Sequence, residues 1–281
     1  VLPVYLSKVI SVTSVLGGTP MFDSPSRLPL RQTRQQKSHR PIRVRTWRIL
    51  ATVTTVALAS VYVAFAAAIS LSTSVPYSQN FDSMGIPLSN PAPSSLPAGF
   101  SQDTIVPPRT LGSISGSSVT NSRVGGANMP LVSSPGCYNF GAGTATLGGS
   151  DRAVGFISNA TTAGSGNLYA EVKNTTGLPL SGLLISYDVE KYRNGSNPAG
   201  FRYQLFYSLD SFSWTNAGPS FFTVFAPDAD NNGFATAPGA TVPVTNKILN
   251  VTVANGASLF LAWNYSVTSG FDTECTGTRD R

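Results

Sequence analysis

Leu183-Leu-Ile-Ser-Tyr-Asp-Val-Glu-Lys-Tyr192 sets Leu183, Ile185, Tyr187 and Val189 on one face and Ser186, Asp188 and Glu190 on the other. Successive side chains of an extended chain point to opposite sides, so this period of two predicts a half-buried strand. The same pattern recurs nearby. Phe201-Arg-Tyr-Gln-Leu-Phe-Tyr-Ser208 turns Phe201, Tyr203, Leu205 and Tyr207 inward, and Lys247 to Val253 alternates Leu249, Val251 and Val253 against Asn250 and Thr252. Leu259-Phe-Leu-Ala-Trp-Asn-Tyr265 presents Leu259, Leu261, Trp263 and Tyr265. Weaker strands fit Ala153 to Ile157, Leu168 to Val172 and Phe221 to Phe225, and turns are expected at Gly195 to Pro198, Asn231 to Gly233 and Asn255-Gly256. Many half-buried strands, short connections and no amphipathic helix predict an all-β fold, a two-sheet β-sandwich and most simply a jelly roll.

Upstream the composition changes. Nine of the nineteen Lys and Arg residues precede the apolar run Ile49 to Ile69 and face only Asp23, a net of +8. Residues 70 to 281 hold ten basic and twelve acidic side chains, a net of −2, so the sequence pI near 9.5 belongs to the leader. A basic flank before an uncharged run of this length holds the N-terminus inside and sends the following chain out, which predicts an extracellular or cell-surface location. The run is either a cleaved signal peptide, with small-residue sites at Ala64-Phe65-Ala66 and Ala66-Ala67-Ala68, or a retained single transmembrane helix. The expected organisation is a doubtful upstream segment over 1–20, with Met21 as a natural start, and a basic cytoplasmic leader over 21–48. An apolar signal or anchor then covers 49–69, and an exported sandwich covers 70–281. Eight prolines between Pro76 and Pro130 make residues 83–135 a loop-rich start.

The single histidine, His39, lies in the leader. Without imidazole, residues 70–281 offer no Ser-His-Asp or Cys-His nucleophile and none of the usual zinc or non-haem iron sites. The expectation is therefore no enzyme. A carboxylate pair remains: Asp188 and Glu190 project from one face of a strand ~7 Å apart, the geometry a glycosidase could use, but Lys191 and Arg193 beside them suit a solvated or ion-paired face instead. Asp228-Ala-Asp-Asn-Asn-Gly233 places Asp228, Asp230 and Asn232 at the first, third and fifth positions of a calcium-type loop with Gly233 at the sixth. Position twelve is Gly239 rather than Glu, and a polar hairpin turn explains the same residues, so calcium stays open as the one cofactor. Tyr192, Phe212 and Trp214 fall near strand ends or turns, where an exposed ring could cover the apolar face of a sugar, or else pack in the core. Asn159, Asn174, Asn194, Asn250 and Asn264 open N-x-Ser/Thr triplets that such a composition produces by chance. Cys137 and Cys275, the two cysteines, could pair in an oxidising compartment or remain two free thiols. The slightly acidic body carries no basic stripe, which argues against nucleic acid.

Tyr77-Ser-Gln-Asn-Phe-Asp82, Leu96 to Phe100, Tyr138-Asn-Phe-Gly141, Ser150-Asp-Arg-Ala-Val-Gly155, Asn174 to Gly177 and Ile185 to Arg193 occur in an order that resembles an exported bacterial module. It is similar to the β-sandwich domain of PEP-CTERM-type surface proteins, also found beside secreted endonuclease or phosphatase domains. The resemblance spans nearly all of residues 76 to 272 and implies a non-catalytic adhesive or accessory module of poorly defined ligand. It departs after Gly270-Phe-Asp272, where Thr273 to Arg281 lacks a strand period and replaces the expected last strand; a truncated or frame-shifted end is the expectation, with Cys275 of doubtful relevance. Three functions follow: an exported module binding glycan or another cell-surface component, the accessory part of a larger secreted hydrolase, and a purely structural surface protein. A retained apolar run would add the membrane as a partner.

Overall fold

A computed structural model describes residues 4–7, 11–16, 67–72, 75–85, 94–114, 116, 118–119, 121–122, 136–141, 151–158, 163–191, 201–226, 238–267 and 275–279. The described residues form an all-β sandwich of two main sheets, with 3-10 turns at Asp82–Met84 and Pro219–Phe221. Among them no helix is long and apolar enough to cross a membrane.

The eight-stranded sheet contains β1 (Val4–Ser7), β2 (Ser11–Leu16), β7 (Asn121–Ser122), β8 (Gly136–Gly141), β9 (Arg152–Ile157), β11 (Leu180–Lys191), β15 (Ala240–Leu249) and β17 (Cys275–Arg279). The seven-stranded sheet contains β3 (Ile69–Leu71), β5 (Phe100–Ile105), β10 (Ser165–Asn174), β12 (Phe201–Ser208), β13 (Thr215–Asn216), β14 (Phe222–Phe225) and β16 (Ser258–Val267). A third, two-stranded pairing joins β4 (Ser94–Ser95) to β6 (Ser118–Val119).

Alternation builds the core between the sheets. Leu183, Ile185, Tyr187 and Val189 of β11 are buried, as are Phe201, Tyr203 and Leu205 of β12 and Leu259, Leu261, Trp263 and Tyr265 of β16. Tyr187 meets Trp263 edge-on at 6.0 Å, and Phe156 of β9 stacks on Tyr265 at 6.4 Å, which locks one sheet to the other. Gly166 sits where Phe156 presses closest. A Cβ at Gly166 would run into the Phe156 ring, so glycine is required in this strand interior. The Trp263 indole N–H has no hydrogen-bond partner, because the middle of the core is apolar.

Three of the motifs singled out in the sequence meet at one end of the sandwich. Asp82 Oδ1 accepts the Arg152 backbone N–H at 2.9 Å, while Arg152 Nε donates to Asn139 Oδ1 at 2.8 Å and a terminal nitrogen to the Asn139 carbonyl at 2.9 Å. Asn139 Nδ2 donates in turn to the Gly85 carbonyl at 3.2 Å. Asn139 and Arg152 are sealed from solvent. A buried guanidinium whose donors are met in this way clamps the Asp82 turn to β8 and β9.

Several expectations are corrected. Ile69, read as the last residue of the membrane-length run, is a core residue of β3, which pairs in parallel with β10; the rest of the run, 49–66, lies outside the described residues. The loop-rich start contains β5, whose six residues pair with β10, with Asp103 bonded across the sheet face to Asn167 and Tyr169. The strand expected over 247–253 begins instead at Ala240, and Val253 continues it only through paired bonds with Leu180 at 2.9 and 3.0 Å. Residues 4–7 and 11–16, set aside as doubtful, are strands on β9 and β11. Residues 275–279, read as lacking strand character, form β17 beside β11.

Candidate functional site

Alternation that buries one face of the seven-stranded sheet projects Ser101 and Asp103 of β5, Ser165, Asn167 and Tyr169 of β10, Ala262, Asn264 and Ser266 of β16, and Arg202, Gln204 and Phe206 of β12 from the other. Register lines these up across the strands. Asp103, Asn167, Asn264 and Gln204 make one row, and Ile105, Ser165, Ser266 and Arg202 make the next.

A strap, residues 106–114, leaves β5 and lies across this face. Its anchors are polar. Ser165 Oγ accepts the Thr110 N–H at 3.0 Å and donates to the Pro107 carbonyl at 2.9 Å, so one hydroxyl ties down both sides of Pro108-Arg109. The Thr110 carbonyl accepts from Asn167 Nδ2 and Asn264 Nδ2, each at 3.2 Å. Gly112 N–H donates to the Tyr169 hydroxyl at 3.0 Å, and a Cβ at Gly112 would overlap Asp103 and Ile105, so only glycine lets the strap pass this low.

Beneath the strap lies a carboxylate. Asp103 Oδ1 accepts from Asn167 Nδ2 at 2.7 Å and Oδ2 from the Tyr169 hydroxyl at 3.0 Å, and Asn264 Nδ2 donates to Asn167 Oδ1 at 2.6 Å. Burial pushes the Asp103 carboxyl up to about 6, against the pull of those two hydrogen bonds. Burial, followed by the Asp103 charge, holds the Tyr169 hydroxyl well above the usual phenol range. No imidazole or second carboxylate joins this row, so it lacks the paired acid and base of a hydrolytic site.

Beyond the polar rows the strap ends in a small apolar cluster. Ile114 packs with Tyr169 and Ala262, with Leu111, Phe206, Trp214 and Phe260 partly buried around them. Trp214 lies against Tyr169 at 5.5 Å. Gly112, Ser113, Ile114, Ser211 and Phe212 line a cleft of about 170 Å³ at this end. Asp210 holds its rim: Oδ1 accepts the Phe212 N–H at 2.8 Å, the Ser213 N–H at 2.6 Å and the Ser208 hydroxyl at 2.8 Å. Those backbone donors keep the Asp210 carboxyl well below the usual carboxylate range. The turn leaves the Phe212 ring 77% exposed.

Of the candidates read from the sequence, Phe212 lines the cleft and is exposed, while Trp214 is half-buried in the apolar cluster that shares Ile114 with it. Asp188 and Glu190 do not join them. Both are buried on the eight-stranded sheet rather than solvated, for this sheet is covered on both faces: Tyr138 and Phe140 project to one side of β8, Cys137 and Asn139 to the other, and all four are inaccessible. Strand alternation also sends Lys191 to the opposite face from Glu190, where its ammonium lies 5.8 Å from the centre of the Phe201 ring. Tyr192 and the loop of Asp228, Asp230 and Asn232 lie outside the described residues. Cys137 is a free, buried thiol that burial pushes well above its ordinary pKa. Cys275 registers with Ile157 and Cys137 with Phe156, so β9 stands between them. Two strand spacings are ~10 Å, more than the ~7 Å Cα separation that a disulfide tolerates. Asn174 and Asn264 are buried, which excludes both as glycan acceptors in the folded chain.

Asp103, Asn167 and the strap were not singled out from the sequence, and Asn264 was read only as the opening of an N-x-Ser/Thr triplet. The available signal was Asn and Asp at outward positions next to Tyr169 and Phe206, where a solvated face would carry Lys, Glu or Thr. Among the described residues no group of three or more His, Cys, Asp or Glu is placed to hold a metal ion. Comparison with protein-family models, curated proteins and solved structures gives no match for this chain.

Proposed function

We propose that this chain is an exported, non-catalytic surface module, a jelly-roll-like sandwich, that binds glycan on the outer face of its seven-stranded sheet. The observation that carries the reading is Phe212: a residue 77% exposed, fixed by the Asp210 turn at the mouth of a cleft whose Ile114 also belongs to the cluster that holds Trp214. A rigid aromatic face beside polar backbone is the arrangement that covers a pyranose and bonds its hydroxyls. Export is supported by the +8 leader and the apolar run. Release after Ala66 or Ala68 would start the mature body just before β3. It would also separate β1 and β2 from the sheet, since a leader held inside a membrane cannot pair with β11 outside it, and would leave residues 180–186 of β11 open along that edge.

The test is a glycan-array screen of the exported body with Phe212→Ala alongside. Binding to at least one glycan class, weakened about fivefold or more by F212A, is expected, because losing a stacked ring forfeits about 1 kcal/mol or more. Equal binding by both proteins sinks the assignment of the cleft, and silence across the array sinks the function. Intact-mass analysis of the secreted protein locates the mature N-terminus.

A further inference from the structure

We infer that Arg109 and Arg202 form an anion-binding subsite on the same sheet face, for the carboxylate, sulfate or phosphate ester of an acidic glycan. This deepens, and rests on, the glycan reading above.

The placement comes from the strap. Ser165 holds both the Pro107 carbonyl and the Thr110 N–H, which fixes Arg109 over β10 with a left-handed backbone, φ 60°. Ser165 is the cross-strand neighbour of Ser266, and Ser266 of Arg202. Two strand spacings, ~10 Å, therefore separate Arg202, which projects to this face, from the strand beneath Arg109, within the reach of two long cationic side chains. Neither guanidinium has a carboxylate partner among the described residues. Burial and then the Arg109 charge both push Arg202 below its ordinary value, so the two cations disfavour one another in the free protein. A second, independent observation lies between them. Ser266 Oγ is sealed from solvent, projects to this face and has no hydrogen-bond partner. An oxyanion bound there would relieve the repulsion and accept bidentate bonds from the guanidinium forks, on the row that holds the unpartnered Ser266 hydroxyl.

The choice of an acidic glycan over nucleic acid follows from charge. Two arginines make a point site, not a stripe, on a body whose net charge is −2. Arg202 and the Ser208 end of β12 are six residues apart, ~20 Å along one strand, so an extended anionic chain could lie beside the strap from the arginines to the Phe212 cleft.

The experiment measures binding of the exported body and of its Arg109→Ala/Arg202→Ala variant to a polyuronate, a sulfated polysaccharide and a neutral polymer, at low and high salt. The wild type is expected to prefer the acidic polymers at least tenfold, a preference that shrinks with added salt. The double variant should lose that preference and keep its affinity for the neutral polymer. A variant that retains the preference, or a wild type whose preference is indifferent to salt, overturns the subsite. Tighter binding to a single-stranded oligonucleotide than to either acidic polymer overturns the choice of ligand. If no polymer binds at all, titration with sodium sulfate separates the two readings. Saturable stabilisation of the wild type and none of the variant keeps the anion subsite while the glycan function falls, and an equal response removes both.

Discussion

In the seven-stranded sheet, β16 runs beside β10 for nine residue pairs and beside β12 for eight, all antiparallel and without a register shift. The eight-stranded sheet is patched by comparison. β11 pairs along its length with β2, β15, β17 and β1, with register breaks at Ile185/Tyr187 and Leu180/Gly182, and β7 and β8 meet in parallel over two residues. The difference follows from what covers them. One sheet turns an apolar face to the core and a polar face, much of it under the strap, to the other side, so each position must choose between an apolar and a polar environment. The other is buried on both faces around β8 and β9, so apolar residues succeed one another and register is weakly specified by pattern. A sheet with a polar face is also the one with groups to offer a ligand at the edges of the strap.

The largest test of this contrast is Trp263→Ala in the middle of the regular sheet. Trp263 is fully buried, and its removal should cost about 4 kcal/mol through lost burial and an unfilled cavity, read by chemical denaturation. A loss no greater than that of a surface substitution would mean that β16 does not organise the core.

A second test concerns the covered carboxylate. Asp103 has a folded value of about 6 against an ordinary 3.8, so between those values the folded state holds the proton more tightly than the unfolded one. Stability from this group is thus present in acid and lost as pH rises through that window, by roughly 3 kcal/mol in all. Asp103→Asn removes the dependence. The gap in unfolding free energy between variant and wild type should widen in favour of the variant from pH 4 to pH 7, and a constant gap would show that the strap does not bury this group.

The contact between the sheets offers a smaller effect. Gly166→Ala should destabilise by about 2 kcal/mol, because the added methyl drives into Phe156, and Phe156→Leu in the same chain should recover part of that loss. Strictly additive costs would mean that the two residues do not touch.

The same contrast explains what could be read in advance. β11, β12 and β16 were legible because each alternates over eight residues or more between a wet or polar side and a core side. β3 was hidden because its first residue, Ile69, ends an apolar run whose length suggests a membrane helix, although Ile69 and Leu71 face the core and Ser70 faces out. β5 offers only Phe100 to the main core, so its polar outward residues looked like loop until the strap closed over them. Asp188 and Glu190 misled for the opposite reason, since alternation reports which face a residue is on and not whether that face is covered. Phe212 and Trp214 were recognisable as rings near turns, whereas the amide row of Asn167 and Asn264 has no local signature: its members come together only through register.

The close approach at Gly166 has a consequence for the lineage of this sequence. A side chain at position 166 and a full ring at position 156 exclude each other, so neither position is free to drift alone. Descendants of this fold should therefore carry correlated changes, a larger residue in β10 accompanied by a smaller one in β9.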